Sequence, residues 1–121
     1  MKNIAMRLPN DMIYVEKIGD QNARTMEELL TEVARLCKEL RAEGKRVLVL
    51  SNASQEGKTD IPGRQAAVKF GKSLAFDKSA AYGASDFVKQ VRDLEIEATH
   101  QQATIGNFET REEAEAWLLA D

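Results

Sequence analysis

The chain has 121 residues and a formal net charge of −3, with 17 lysines and arginines against 20 aspartates and glutamates. That length suits a single domain spanning 1–121, and the mild acidity argues against general nucleic-acid affinity, which needs a clustered positive surface. One cysteine, Cys37, excludes an internal disulfide and suits a reducing cytoplasm, and no run approaches the ~20 apolar residues of a membrane helix.

The N-terminal stretch, broken by Arg7 and Pro9, is too short and polar for a signal peptide, so a soluble cytoplasmic protein is expected. Ile4, Met6 and Leu8 alternate with smaller or polar residues and predict a strand with one buried face. Pro9-Asn10-Asp11 predicts a turn, and Met12–Ile18 a second strand that completes a hairpin. Thr25-Met26-Glu27-Glu28 reads as a capping box. Behind it Met26, Leu29, Leu30, Val33, Leu36, Cys37 and Leu40 recur at helical spacing until Gly44 stops the helix.

Val47–Leu50 is a continuous β-rich apolar run, the pattern of a central strand covered on both faces. Ser51–Gly63 has no periodicity and predicts the longest loop of the chain. A second helix is expected over Arg64–Ala75, with Ala67, Phe70, Gly71 and Leu74 inward and Gln65, Lys69 and Lys72 outward. Ser79–Tyr82 reads as a short strand ending at Gly83. Ser85 caps a third helix bearing Phe87, Val88, Val91 and Leu94. Thr104–Phe108 is the last strand, and Thr110-Arg111-Glu112-Glu113 opens a final helix with Ala114, Trp117 and Leu118 inward. The order predicts an α/β fold: a mixed, mostly parallel sheet of about five strands with four helices and a β-hairpin at the N-terminus.

Asn52–Thr59 follows a buried strand and misses the phosphate-loop pattern only at its first position, where asparagine replaces glycine. A helix would have to begin at Lys58-Thr59 to aim its free amides at phosphate. Asp60 and Pro62-Gly63 interrupt there, and Glu56 adds negative charge, so nucleotide hydrolysis is not expected. The carboxyl ends of parallel strands remain the natural ligand position. That singles out Ser51, Asn52, Lys58, Thr59, Asp60, Gly63 and Arg64 on one connection and Gly83 and Ser85 on the other, against the alternative of a plain solvated loop. Cys37 reads as a small buried hydrophobe, His100 as a solvated loop residue and Trp117 as the anchor of the last helix. No paired carboxylates, triad or metal spacing can be picked out, so no cofactor, no metal and no catalysis are expected.

Three segments carry a family resemblance: Lys45–Leu50, Phe76–Gly83 and Phe108–Leu119. In order and spacing they resemble STAS domains, especially the SpoIIAA-like subgroup of small bacterial proteins, over about Met12 to Leu119. The resemblance implies a STAS-like fold and a binding or regulatory role. It also has a departure. Phosphorylated anti-sigma-factor antagonists carry an Asp-Ser-Ser-Gly type motif before the second helix, and the matching stretch here is Asp60-Ile61-Pro62-Gly63, which has no hydroxyl to accept phosphate. The expected function is a non-catalytic module that binds either a protein partner or a small lipophilic or anionic ligand. Fold similarity of this subgroup to lipid carriers suggests Met26, Leu30, Phe70, Leu74 and Phe87 as an apolar lining, unless they simply fill the core.

Overall fold

The start of the chain folds into the expected hairpin, but not with the expected face inward: Ile4 and Met6 are 36% and 47% exposed, and Ala5 packs on the core instead. In the computed structural model, which describes residues 2–72, 74, 76–98, 100 and 104–120, Ile4–Arg7 (β1) runs antiparallel to Ile13–Glu16 (β2). Asp11 takes a left-handed conformation at the turn (φ 70°), which aspartate tolerates through its short polar side chain. The chain continues through Gly19–Gln21 (β3), Ala23–Ala42 (α1), Leu48–Asn52 (β4), Glu56–Thr59 (β5) and Ile61–Gly71 (α2). Lys78–Tyr82 (β6), Asp86–Ala98 (α3), Ile105–Phe108 (β7) and Arg111–Leu119 (α4) complete it.

The main sheet has the strand order β1-β2-β4-β6-β7, and only its β1–β2 pair is antiparallel. This is the mixed five-stranded sheet with four helices that the sequence predicts. β4 occupies the centre, where Leu48, Val49 and Leu50 are all buried because both sheet faces are covered. On one face Ile13, Val15, Val47 and Val49 pack with Leu29, Val33, Leu36, Cys37 and Leu40, largely from α1. On the other, Met12, Leu48, Leu50 and Ala80 pack with Ala114 and Leu118 of α4. Trp117 stacks at a tilt on Phe108, ring centroids 5.5 Å apart, and the Lys78 ammonium donates to the Trp117 and Ala120 carbonyls at 2.9 Å each. The last helix is thereby anchored at its C-terminus, where a cation opposes the helix dipole.

Two expectations about connections are corrected. The first concerns the start of α1: its N-cap is Asn22, not Thr25. The Asn22 side chain accepts from the Thr25 N–H at 2.9 Å, and the Thr25 hydroxyl accepts from the Asn22 N–H at 2.9 Å. Thr25 thus plays the reciprocal part assigned to Glu28, and the helix gains its first turn; Glu28 instead pairs with Arg24 at 3.0 Å. The other end is as expected: Gly44 has φ 73°, with its N–H on Arg41 O and the Lys45 N–H on Leu40 O.

The second correction concerns Ser51–Gly63, which is not a structureless loop. Ser51 and Asn52 finish β4, and β5 pairs in parallel with β3 as a separate two-stranded sheet. Gln21, only 2% exposed, holds this sheet: its amide donates to Asn3 Oδ1, Ile18 O and Gly19 O and accepts from Asn3 Nδ2 at 2.7 Å. A strand stabilised by a buried amide has no apolar alternation to read. α2 begins at Ile61, before the expected Arg64, and Gly71 is its last helical residue; Ala75 lies outside the described residues.

Hairpin and helix end are tied by charge. Arg7 reaches Asp11 at 2.7 Å, Glu43 at 2.6 Å and Glu39 at 3.0 Å, and Lys45 joins Asp11 at 2.9 Å. The Arg7 hydrogen bond, then that of Lys45, holds the Glu43 carboxyl down to about 2 from its ordinary 4.5. Asp11 is lowered in the same way, chiefly by Arg7. A carboxylate depressed in the folded state contributes stability that is complete above about 4.5 and disappears as pH falls towards about 2. Glu43→Gln is therefore expected to reduce the loss of stability across that acid window, as read from urea midpoints along a pH series. Added salt should weaken the effect, because these groups are solvent-exposed. An unaltered acid limb in the variant would show that the network does not set it.

Candidate functional site

The carboxyl end of β4 is organised by Asn52. Its Nδ2 donates to Tyr14 Oη at 3.1 Å and Glu16 Oε1 at 2.9 Å, while its Oδ1 accepts from the Ser54 N–H at 3.0 Å and hydroxyl at 2.7 Å. Burial, then the hydrogen bond with Tyr14, pushes the nearby Tyr82 hydroxyl up to about 12. Gly83 has φ 76° and lies against Ser54, where an added Cβ would stand 3.3 Å from that of Ser54. The two connections singled out from sequence therefore meet at Ser54 and Gly83. Beyond them the largely buried Glu56 carboxylate accepts from Arg92 of α3 at 2.6 Å and faces Lys17 at 3.7 Å.

These contacts leave little for an anion. Asp60 is the N-cap of α2, and its own carboxylate accepts from the Gly63 N–H at 2.7 Å; Pro62 has no N–H to offer. At α3 the Ser85 hydroxyl accepts from the Val88 N–H at 3.3 Å, and Asp86 places a carboxylate in the first turn. Both helix starts are already served by acceptors of the chain itself. Lys58 and Thr59 lie in a strand, not at the start of a helix, so the segment Asn52–Thr59 lacks the backbone cradle of a phosphate loop. Gly63 is buried, with room for no side chain: a Cβ would come within 2.8 Å of Thr59 Cγ2 and 3.2 Å of the Asn22 carbonyl carbon.

Surface apolarity lies elsewhere. Ile61 and Val68 of α2 are 70% and 60% exposed. Together with Arg64, Gln65, Lys69 and Lys72 they line an open groove of about 540 Å³. Lys58 and Arg64 are both exposed at this end. On α3, Phe87 and Leu94 are each 67% exposed, so Phe87 neither lines an apolar space nor fills the core. α3 packs on β7, with the Asn107 amide donating to Asp93 at 2.7 Å, and Asp93, Ile96, Glu97, Ile105, Gly106 and Asn107 border an open groove of about 350 Å³ between them. Of the proposed apolar lining, Met26 is buried, Leu74 packs on the first core, Leu30 and Phe70 are half-buried, and Phe87 faces out.

Sequence reasoning missed Ile61, Glu56 and Arg92. Ile61 had a readable signal: aspartate, one residue, then proline is an N-cap followed by a proline in the first turn, and Val68 stands two turns after Ile61. Glu56 and Arg92 had none, because their pairing joins residues 36 apart. His100 is exposed, with Thr99, Gln101 and Gln102 outside the described residues. Among the described residues no group of three or more His, Cys, Asp or Glu side chains could hold a metal ion, and no helix is long and apolar enough to cross a membrane.

Comparison places this geometry among known folds. An uncharacterized protein from Shewanella loihica PV-4 with a SpoIIAA-like fold superposes with a TM-score of 0.66 at 14% identity, over 96% of this chain and 91% of that one. The anti-sigma factor antagonist SpoIIAA in its unphosphorylated form gives a TM-score of 0.61 at 11% identity, over 94% of each chain. Among curated proteins none is significantly similar to this chain. The SpoIIAA-like family profile matches residues 12–119, and on that match the chain belongs to the SpoIIAA-like family.

Proposed function

We propose that this chain is a non-catalytic, single-domain binding module whose α2 face docks a protein partner, without the phosphoacceptor serine usual at the turn before that helix. The observation that carries this reading is the exposure of Ile61 and Val68 amid Arg64, Lys69 and Lys72. An apolar pair with a basic rim is the composition of a recognition surface. The unphosphorylated anti-sigma factor antagonist that shares the fold is named for its action on a protein. In this reading Lys58, Thr59 and Arg64 flank the docking face. Ser51, Asn52, Asp60, Gly63, Gly83 and Ser85 fix the backbone that presents it. A small anionic ligand is the weaker alternative, because the amides it needs are capped by Asp60 and Ser85.

The double variant Ile61→Asp with Val68→Asp tests the reading. Both positions are exposed, so circular dichroism should be unchanged. A partner captured by the native protein and rebuilt from purified components should bind the variant at least ~10-fold more weakly, about 1.4 kcal/mol. Equal affinity would move docking away from α2.

A further inference from the structure

α2 and α4 carry opposite charge on opposite sides of the sheet. Between Ile61 and Lys72 every charged residue is basic: Arg64, Lys69 and Lys72. From Glu109 to Glu115 the chain has Glu109, Glu112, Glu113 and Glu115 against Arg111, and Arg111 is engaged by Glu115 at 2.9 Å. Among the described residues Arg64, Lys69 and Lys72 form no ion pair, and neither do Glu109, Glu112 and Glu113. A basic helix on a molecule of net charge −3 is a concentrated feature, and its complement lies on the same chain.

Apolar residues accompany both sets of charges. Ile61 and Val68 stand seven residues apart on one face of α2, about 10.5 Å along the axis. Glu112, Ala116 and Leu119 have the same span on the outer face of α4, where Ala116 is exposed and Leu119 is 63% exposed. Their order along the two helices is inverted. α2 runs from apolar Ile61 to basic Lys69 and Lys72, whereas α4 runs from acidic Glu109, Glu112 and Glu113 to apolar Leu119. Laid antiparallel with Leu119 on Ile61, Ala116 meets Arg64, Glu112 meets Val68, and Lys69 and Lys72 each fall one residue from a carboxylate, Glu112 and Glu109. The helix dipoles then oppose favourably. A parallel arrangement would set Leu119 against Lys72 and the glutamates against Ile61.

We propose that a second copy of this chain occupies the α2 face, seating its α4 there antiparallel in a head-to-tail contact. This rests on the reading of α2 as a docking face and names one occupant for it. α2 packs with α1 on one side of the sheet and α4 covers the other, so the contact cannot close within one molecule. Because the two surfaces differ, each added copy leaves one α2 and one α4 free. The apolar area is a few side chains on each side, well below the ~1,200 Å² of a stable interface, so the contact is weak and salt-sensitive.

Sedimentation velocity on the full chain tests the proposal with two variants. Lys69→Glu with Lys72→Glu blocks α2 and leaves α4 free; Leu119→Glu blocks α4 and leaves α2 free. The native protein should gain average mass with concentration at low salt and lose it when salt is added. Each variant alone should remain monomeric, and an equimolar mixture of the two should stop at a heterodimer. A native protein that stays monomeric at every concentration, a variant that associates as the native chain does, or a mixture that fails to pair overturns the inference. If the native chain is monomeric yet a partner protein is lost with Ile61→Asp/Val68→Asp, protein docking on α2 stands and self-docking falls.

Discussion

Leu50→Ala is expected to lower the unfolding free energy by about 2–5 kcal/mol, a large part of the ~5–15 kcal/mol typical of a whole domain. Leu50 is fully buried at the centre of β4, opposite Tyr14 of β2 and Ala80 of β6, in the core that α4 covers with Ala114 and Leu118. Ala80 and Ala114 are too small to move into the space, so much of the cavity would persist. α4 has nine residues, too few to be helical on its own, and depends on this docking surface. Its detachment should appear in the emission of Trp117, the single tryptophan. Leu94→Ala provides the contrast: that side chain is mostly exposed, and its loss should change stability by less than about 0.5 kcal/mol. Equal urea midpoints for the two variants would refute the placement of Leu50 in the core.

The second large effect comes from adding one carbon. In Gly57→Ala the new Cβ would overlap Asp20 Oδ1 and lie 2.9 Å from the Gly19 carbonyl carbon and 3.0 Å from the Asp20 nitrogen. The Asp20 carboxylate cannot simply swing away, since it accepts from the Lys58 N–H at 2.9 Å. Backbone must shift, the β3–β5 pair must open, and a cost of about 1–3 kcal/mol follows. The consequence should reach α2, because the Asp60 N–H donates to Gln21 O at 3.1 Å at the end of the same pair. Gly71→Ala should act in the opposite direction: nothing lies within 4 Å of its Cβ and its φ is not positive, so alanine should stabilise by about 0.4–1 kcal/mol, chiefly by restricting the unfolded chain. Hydrogen exchange over residues 56–60 separates the outcomes. Fast exchange in Gly57→Ala alone is expected; protection equal to that of Gly71→Ala would mean that the small sheet does not pack as described.

The parts of the fold legible from sequence are those where one segment meets a large apolar environment. Val47–Leu50 reads as a central strand because covering both faces demands apolar residues at every position. Met26 to Leu40 reads as a helix because a single stripe is buried. The resemblance at Lys45–Leu50, Phe76–Gly83 and Phe108–Leu119 rests on such core patterns and agrees with the family match over 12–119. Phe87 and Leu94 mark the limit of the method. They share helical spacing with Val88 and Val91, yet α3 packs chiefly on β7 and leaves both in solvent.

By itself, then, the amino-acid pattern determined the hairpin, the central strand, the four helices and the absence of a hydroxyl at Ile61 and Pro62. Each follows from local propensity or from burial along one segment. Only the tertiary structure decided where the segment Ser51–Gly63 goes and what surface it presents. Its strand is held by Gln21 and Asn3, its turn by Gly83, and its carboxylate by Arg92, all distant in sequence. The exposed pair on α2 belongs to the same class. Whether an isoleucine fills a core or faces a partner depends on which neighbours the fold supplies, and around Ile61 and Val68 it supplies three cations and solvent.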